Sequence, residues 1–377
     1  MGHNRIIDSG PLVSDVVTKP DIPVMIEQND LQTAWNEKGR HYEEKSGGIE
    51  VGVNKYQFQV SFLDLRFRDI ENNSFPTQRR VITEVASDLN RRHDIVIPVL
   101  PGWGETSAQF EGDFLEILLE VLKEAGYENP KIIGVNASGR GTPEYLMERN
   151  REMISGVGLM DEVNDAANIA NALAGRGYFG NRGQRPSVAV IGHSMGAFNA
   201  LAFMDALNKD GGHKVEKLLQ MMPVVDGPFA MMRAKFLWAV RKQLIEASKQ
   251  AITGSGALEL SEDDYHRIMF GDEDFRDPEQ FARSLPDSAK RFLQLTLNPK
   301  RRFEHVFKKG GTADGLDLTV WKGGKDSLIP DDAIDGLRGG VKVEVLPMIS
   351  HSIPFRIRDE QMIDVRVALK RFVGEKS

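Results

Sequence analysis

Apolar positions along the chain switch several times between a period of two and a helical period. Tyr56 to Phe67 (YQFQVSFLDLRF) mostly alternates and is rich in aromatic and aliphatic residues, which predicts a strand. Pro76 stands where a helix can begin, and Val81, Ile82, Val85 and Leu89 then recur at helical spacing, predicting a helix. IVIPVL, Ile95 to Leu100, is a short apolar strand closed by Pro101-Gly102-Trp103-Gly104. Phe110 to Ala125 has helical spacing with Gly126 as its stop signal. KIIGV, Lys131 to Val135, predicts a strand that runs into the loop NASGRGTP. Further helices are predicted at Leu159 to Ala174, Ala197 to Leu207 and Asp359 to Val373. Further strands are predicted at Val188 to Gly192, Leu218 to Val225, Leu316 to Trp321 and Val341 to Leu346.

Strands alternating with helices predict an α/β fold with a mostly parallel sheet covered on both faces. Residues 226–311 break the alternation. Their pattern is helical, as in FLWAVRKQLIEA and DPEQFARSLPDSAKRFLQLTL, and no clear strand stands out. They read as a mainly helical insertion between two parts of one core, residues 51–225 and 312–377. Residues 1–50 are polar and irregular, with one short helix expected around Leu31 to Glu44. They read as an N-terminal extension, for which pairing with a second subunit in a homo-oligomer is one use.

Composition narrows the function classes. A hydrophobic fraction of 41% over 377 residues is enough for a sizeable buried core. The formal net charge is −7 and the basic residues form no long block, so the electrostatic footprint of a nucleic-acid binder is missing. There is no cysteine, which excludes disulfides, thiolate metal sites and a cysteine nucleophile. The start MGHNRIIDSGPLV lacks the pattern of a signal peptide, and Ile6 stands where a myristoylation motif wants Ser or Thr. No apolar run approaches the roughly 20 residues that span a bilayer. A cytoplasmic protein with no integral membrane segment is the expectation. The acidic run Gly271 to Glu279 lacks the spacing of a calcium loop and reads as a solvated helix entry.

The strongest chemical signal is Gly192-His193-Ser194-Met195-Gly196, set between the apolar run VAVI and an alanine-rich helical segment. Gly-x-Ser-x-Gly at a strand-to-helix turn presents the serine hydroxyl at a helix N-terminus, on a sharp bend that the glycines let strand and helix share. A serine hydroxyl is a weak nucleophile and needs a base held by a third group. His351 follows the last predicted strand on the loop before the closing helix, and functional residues of open α/β sheets gather at the carboxyl ends of strands. His193 lies within the turn and reads as shaping it. Asp326, delivered by turn glycines after LDLTVW, is the candidate acid; Asp331 and Asp332 beyond Pro330 read as the cap and first turn of a helix. The order Ser, Asp, His is that of α/β-hydrolases. One oxyanion donor would be the Met195 amide, and Pro101–Gly104 is the candidate for the second.

These residues resemble the α/β-hydrolase superfamily, over about Tyr56 to the C-terminus. The specific parts are GHSMG at 192–196, GGKDSLIP at 323–330, SHSIPF at 350–355, PGWGETSAQF at 101–110 and SGRGTP at 138–143. The resemblance implies Ser194 as nucleophile, Asp326 as acid, His351 as base, the Trp103 and Met195 amides as oxyanion donors, and residues 226–311 as a cap. Two departures stand out: Pro101-Gly102 replaces the usual His-Gly, and Ser350-His351 the usual Gly-His. IVIPVLPGWGETS also fits the following strand of the family, which would move the oxyanion loop upstream, near Asp69 to Phe75. The helix and KIIGVNASGRG that follow favour the first register.

The expected chemistry is cleavage of a carboxylic ester in a small-molecule acyl substrate through an acyl-enzyme, with no metal and no cofactor. A thioesterase, lactonase, amidase or acyltransferase would use the same residues. A ligand-binding homologue without turnover is the alternative from another class. Phe229, Met232 and Trp238 of the insertion are candidates to line an apolar acyl pocket, and core packing accounts for the same spacing.

Overall fold

A computed structural model describes residues 49–51, 54–66, 77–110, 112–136, 157–180, 185–209, 212–224, 241–253, 256–258, 260–271, 276–282, 287–296, 303, 306, 311, 313–326, 328–329, 341–353 and 357–374. The elements begin with β1 (Ile49–Val51), β2 (Asn54–Arg66), β3 (Thr77–Ala86) and β4 (Ile95–Leu100). Then follow α1 (Asp113–Glu124), β5 (Lys131–Val135), α2 (Leu159–Gly175), β6 (Ser187–His193), α3 (Gly196–Lys209) and β7 (Lys217–Met221). The segment before the next core strand holds α4 (Arg241–Thr253), β8 (Ala257–Leu258), α5 (Glu262–Phe270), α6 (Pro278–Ala282), β9 (Asp287–Ser288) and α7 (Ala289–Thr296). The chain closes with β10 (Asp317–Gly323), β11 (Lys342–Leu346) and α8 (Asp359–Val373).

Among the described residues, nine strands form one sheet in the order β1-β2-β3-β5-β4-β6-β7-β10-β11. From β5 to β11 every neighbouring pair is parallel, while β1, β2 and β3 pair antiparallel. The central strands alternate between two apolar layers, as strands buried on both faces must. Val96 and Leu100 of β4 and Val188 and Val190 of β6 face a layer with Leu159, Ile169 and Leu173 of α2 and Phe198 and Leu201 of α3. Ile97 and Val99 of β4 and Ala189 and Ile191 of β6 face a layer with Leu118 and Leu122 of α1 and Leu369 and Phe372 of α8. Among the described residues no helix is long and apolar enough to cross a membrane.

Two expectations need correction. The helix expected from Val81 to Leu89 is the strand β3, paired with β2 from Gln57↔Ala86 to Arg66↔Thr77 and with β5 from Ile82↔Val135 to Ala86↔Lys131. Branching at Cβ in Val81, Ile82, Thr83 and Val85 crowds a helix and suits a pleated strand, and two flanking strands satisfy the backbone on both edges. Within 226–311, where no strand stood out, β8 and β9 form a two-residue antiparallel ladder; elements this short leave no periodicity to read. The helix expected around Leu31 to Glu44 lies outside the described residues, as do Phe229, Met232 and Trp238.

Candidate active site

The serine turn joins β6 to α3. Ser194 has φ 51°, a left-handed conformation that a non-glycine residue adopts only when its surroundings hold it there. The holding bonds are on both sides: its N–H donates to Met221 O at 2.9 Å, and its carbonyl accepts from Ala197 N and Val224 N, both at 3.1 Å. Gly196 is required because a Cβ there would stand 2.5 Å from Pro101 O and closer still to Leu100 O, at the exit of the neighbouring strand β4.

The sheet brings Ser194, His351 and Asp326 together at the carboxyl ends of β6, β11 and β10. Ser194 Oγ lies 2.9 Å from His351 Nε2, and His351 Nδ1 lies 3.0 Å from Asp326 Oδ2. A carboxylate partner makes Nδ1 the protonated nitrogen, which leaves Nε2 to accept the serine hydroxyl. The other Asp326 oxygen accepts the N–H groups of Leu328 and Ile329 at 2.7 and 3.0 Å, so the carboxylate is fixed in its turn. That turn is tied to the His351 loop, with Gly324 N donating to Leu346 O at 2.8 Å and Lys325 N to Ile349 O at 3.0 Å. All three side chains are buried, with Ser194 7% exposed.

Pro101–Gly104 leaves β4 beside the serine turn: a Cβ on Gly102 would come within 3.0 Å of Ser194 Cβ. Two of its amides are engaged by carboxylates. Gly102 N donates to Glu105 Oε2 at 2.7 Å and Gly104 N to Asp287 Oδ2 at 2.6 Å. The Trp103 amide between them, and the Met195 amide after the serine, have no hydrogen-bond partner among the described residues. The Trp103 ring packs on Phe292 at 5.2 Å, and its indole N–H points to Ser288 O at 3.5 Å.

The segment between β7 and β10 is bonded to both loops of the site. Behind the Trp103 turn, the fully buried Arg291 of α7 pairs with Asp287 and with Glu162 of α2, and Glu162 also accepts Asn199 Nδ2 of α3 at 2.8 Å. Around the base, the His351 and Ser352 amides donate to Met269 O at 3.0 and 3.2 Å, Ser350 Oγ donates to Phe270 O at 3.1 Å, and Gln280 Nε2 donates to Ser352 Oγ at 2.6 Å. Glu105, Asp287, Arg291 and Met269 were not singled out by sequence. The pairs Glu105–His193, Arg291–Glu162, Gly104–Asp287 and His351–Met269 each join residues remote in the chain, and only the acid directly after PGWG carried a local hint.

The model of the alpha/beta hydrolase family matches residues 74–364. None of the curated protein sequences matches the chain. Among solved structures, the fold is similar to a peroxisomal alpha-beta-hydrolase from Saccharomyces cerevisiae, with TM-score 0.53 and 15% identity over 85% of this chain and 90% of that one. It is also similar to a soluble variant of monoglyceride lipase from Saccharomyces cerevisiae, with TM-score 0.52 and 13% identity over 86% and 98% of the two chains. At such identities the likeness is one of fold. The family match spans well over half of the chain, and the chain belongs to the alpha/beta hydrolase family.

Proposed function

We propose that the protein is a serine hydrolase that cleaves a carboxylic ester through an acyl-enzyme. The observation that carries this reading is the pair of contacts linking Ser194 Oγ, His351 and Asp326 at 2.9 and 3.0 Å. His351 Nε2 takes the hydroxyl proton as Ser194 Oγ attacks the ester carbonyl, and Asp326 stabilises the imidazolium that forms. The negative charge that develops on the carbonyl oxygen is met by the Trp103 and Met195 amides, which are not spent on other described groups. His351 then protonates the departing alcohol, and a water deprotonated by His351 releases the acid. Residues 226–311 act as a cap over this site, residues 51–225 and 312–377 as its core, and residues 1–50 as an extension. The chemistry asks for no metal and no cofactor, and the reading places the protein in the cytoplasm.

The test is labelling of the full-length protein with a fluorophosphonate, read by intact mass and by the modified peptide, beside Ser194→Ala. One label per chain at Ser194, absent in the variant, supports the reading; a folded wild type without label counts against it. A panel of ester, thioester, lactone and amide donors, each with water and with an alcohol acceptor, then identifies the bond and the acceptor.

A further inference from the structure

Directly behind the serine turn lies a second buried carboxylate–imidazole pair that the mechanism above does not use. Glu105 and His193 are each 1% exposed. Glu105 Oε2 accepts the Gly102 N–H at 2.7 Å and lies 2.6 Å from His193 Nδ1. On the far side of the ring, His193 Nε2 lies 2.8 Å from the main-chain oxygen of His351. One side chain thus reaches the turn that carries Trp103, and the other reaches the residue that supplies the base.

The protonation state follows from the partners. A carbonyl oxygen only accepts, so Nε2 carries a hydrogen. Glu105 Oε2 already accepts from Gly102, and a carboxylate oxygen suits two donors better than a hydroxyl does. Nδ1 therefore also carries a hydrogen, and the ring is an imidazolium. Burial works against charge on both groups. The mutual attraction and the hydrogen bonds outweigh it, holding the Glu105 carboxyl below its ordinary range and His193 above its own. Asp326 and His351 face the pair from the turns after β10 and β11, and Tyr265 faces it from α5, kept neutral because burial pushes its hydroxyl well up.

We propose that Glu105 and His193 are positioning residues for the hydrolysis inferred above: an imidazolium–carboxylate pair that holds the Trp103 turn and the His351 main chain in register with Ser194. The proposal rests on the serine-hydrolase reading for the reaction that the pair serves. Neither side chain touches the reacting atoms. With ring centroids 5.5 Å apart, the His193 cation also stands beside the base.

The experiment uses the full chain as wild type, His193→Gln, and the double variant Glu105→Gln/His193→Gln. A glutamine at 193 can still donate to the His351 carbonyl, and the double variant replaces the ion pair by two neutral amides, which removes the risk of an unpaired buried charge. Each is measured for thermal unfolding, for fluorophosphonate labelling rate and for kcat and KM on a p-nitrophenyl ester. The expected result is a loss of about 10- to 100-fold in kcat and labelling rate, with KM within about twofold of wild type.

A folded double variant that labels and turns over like wild type overturns the positioning role alone. A wild type that neither labels nor turns over overturns the hydrolase reading, and the positioning role with it. Nitrogen-15 NMR of the wild-type histidines at neutral pH reads the pair without any variant: both His193 ring nitrogens protonated supports the ion pair, and a neutral ring overturns it.

Discussion

The carbonyl of Met269, in α5, accepts the main-chain N–H of His351 at 3.0 Å. The side chain proposed as base therefore hangs from a loop held on one side by the turn after β10 and on the other by α5. Ser350 and Ser352 add bonds to Phe270 of α5 and Gln280 of α6. α5 and α6 are therefore bonded to the loop that carries His351.

Cutting one of these ties tests that claim. Gln280→Met removes the 2.6 Å donation to Ser352 Oγ while keeping the side chain's length. The expected outcome is a loss of about 1 kcal/mol in stability, read by denaturant unfolding. A drop in kcat larger than any change in KM should accompany it. Wild-type kcat at the lower stability would show that the tie does not position His351.

Arg291 supports the other side. It is fully buried between Glu162 and Asp287, and Asp287 also receives the Gly104 N–H. Arg291→Met leaves two carboxylates buried without their cation, and is expected to cost roughly 3–5 kcal/mol of stability. Chemical denaturation measures it. A loss under about 1 kcal/mol, the range of exposed ion pairs, would show that the network is not the clamp described here.

Asp326→Asn separates geometry from charge. The amide can keep the bonds from Leu328 and Ile329 but presents the wrong partner to His351 Nδ1. By analogy with other serine triads, kcat should fall by up to about 10⁴-fold while the fold and ester binding survive. Steady-state kinetics beside a thermal melt decides it; activity within about tenfold of wild type would move the acid's role elsewhere.

Hydrolysis at saturating ester should fall as pH is lowered, because a protonated His351 cannot accept the Ser194 proton. The measurement is a rate profile from about pH 5 to 8, the range in which histidine charge changes. A flat profile with the chemical step limiting would remove His351 as base.

The Glu105–His193 pair predicts a pH dependence of stability. The lowered Glu105 value contributes stability that is fully present above its ordinary 4.5 and is lost as pH falls through the folded value. The raised His193 value contributes stability that is fully present below its ordinary 6.5 and is lost as pH rises through the folded value. The stability difference between wild type and Glu105→Gln/His193→Gln should therefore be greatest between pH 4.5 and 6.5 and shrink on either side. Urea titrations of both proteins from well below pH 4.5 to well above pH 6.5 measure it. A difference that is flat with pH would mean that the pair is not charged.

What the amino-acid sequence determined by itself is whatever depends on short stretches of chain. Ile95–Leu100 and Ser187–His193 are strands because short apolar runs bounded by turns have little other use, and α1 and α8 are helices because their apolar residues recur on one face. Gly192 to Gly196 announced a strained turn for the same local reason: a serine at φ 51° beside a strand exit needs a small neighbour. Chain order at strand ends then singled out Asp326 and His351, because a parallel sheet brings its carboxyl ends to one edge.

Tertiary structure decided the rest. Val81 and Val85 satisfy a helical spacing, and only the backbone partners offered by β2 and β5 make that segment a strand. The strand order, with β4 between β5 and β6, sets Pro101–Gly104 against Ser194. Glu105 and His193 are separated by 88 residues, and Glu162 and Arg291 by 129. A charged residue in a sequence reads as surface unless its counter-charge is visible. These groups can be buried because the fold delivers that counter-charge from far along the chain, and no local pattern records it.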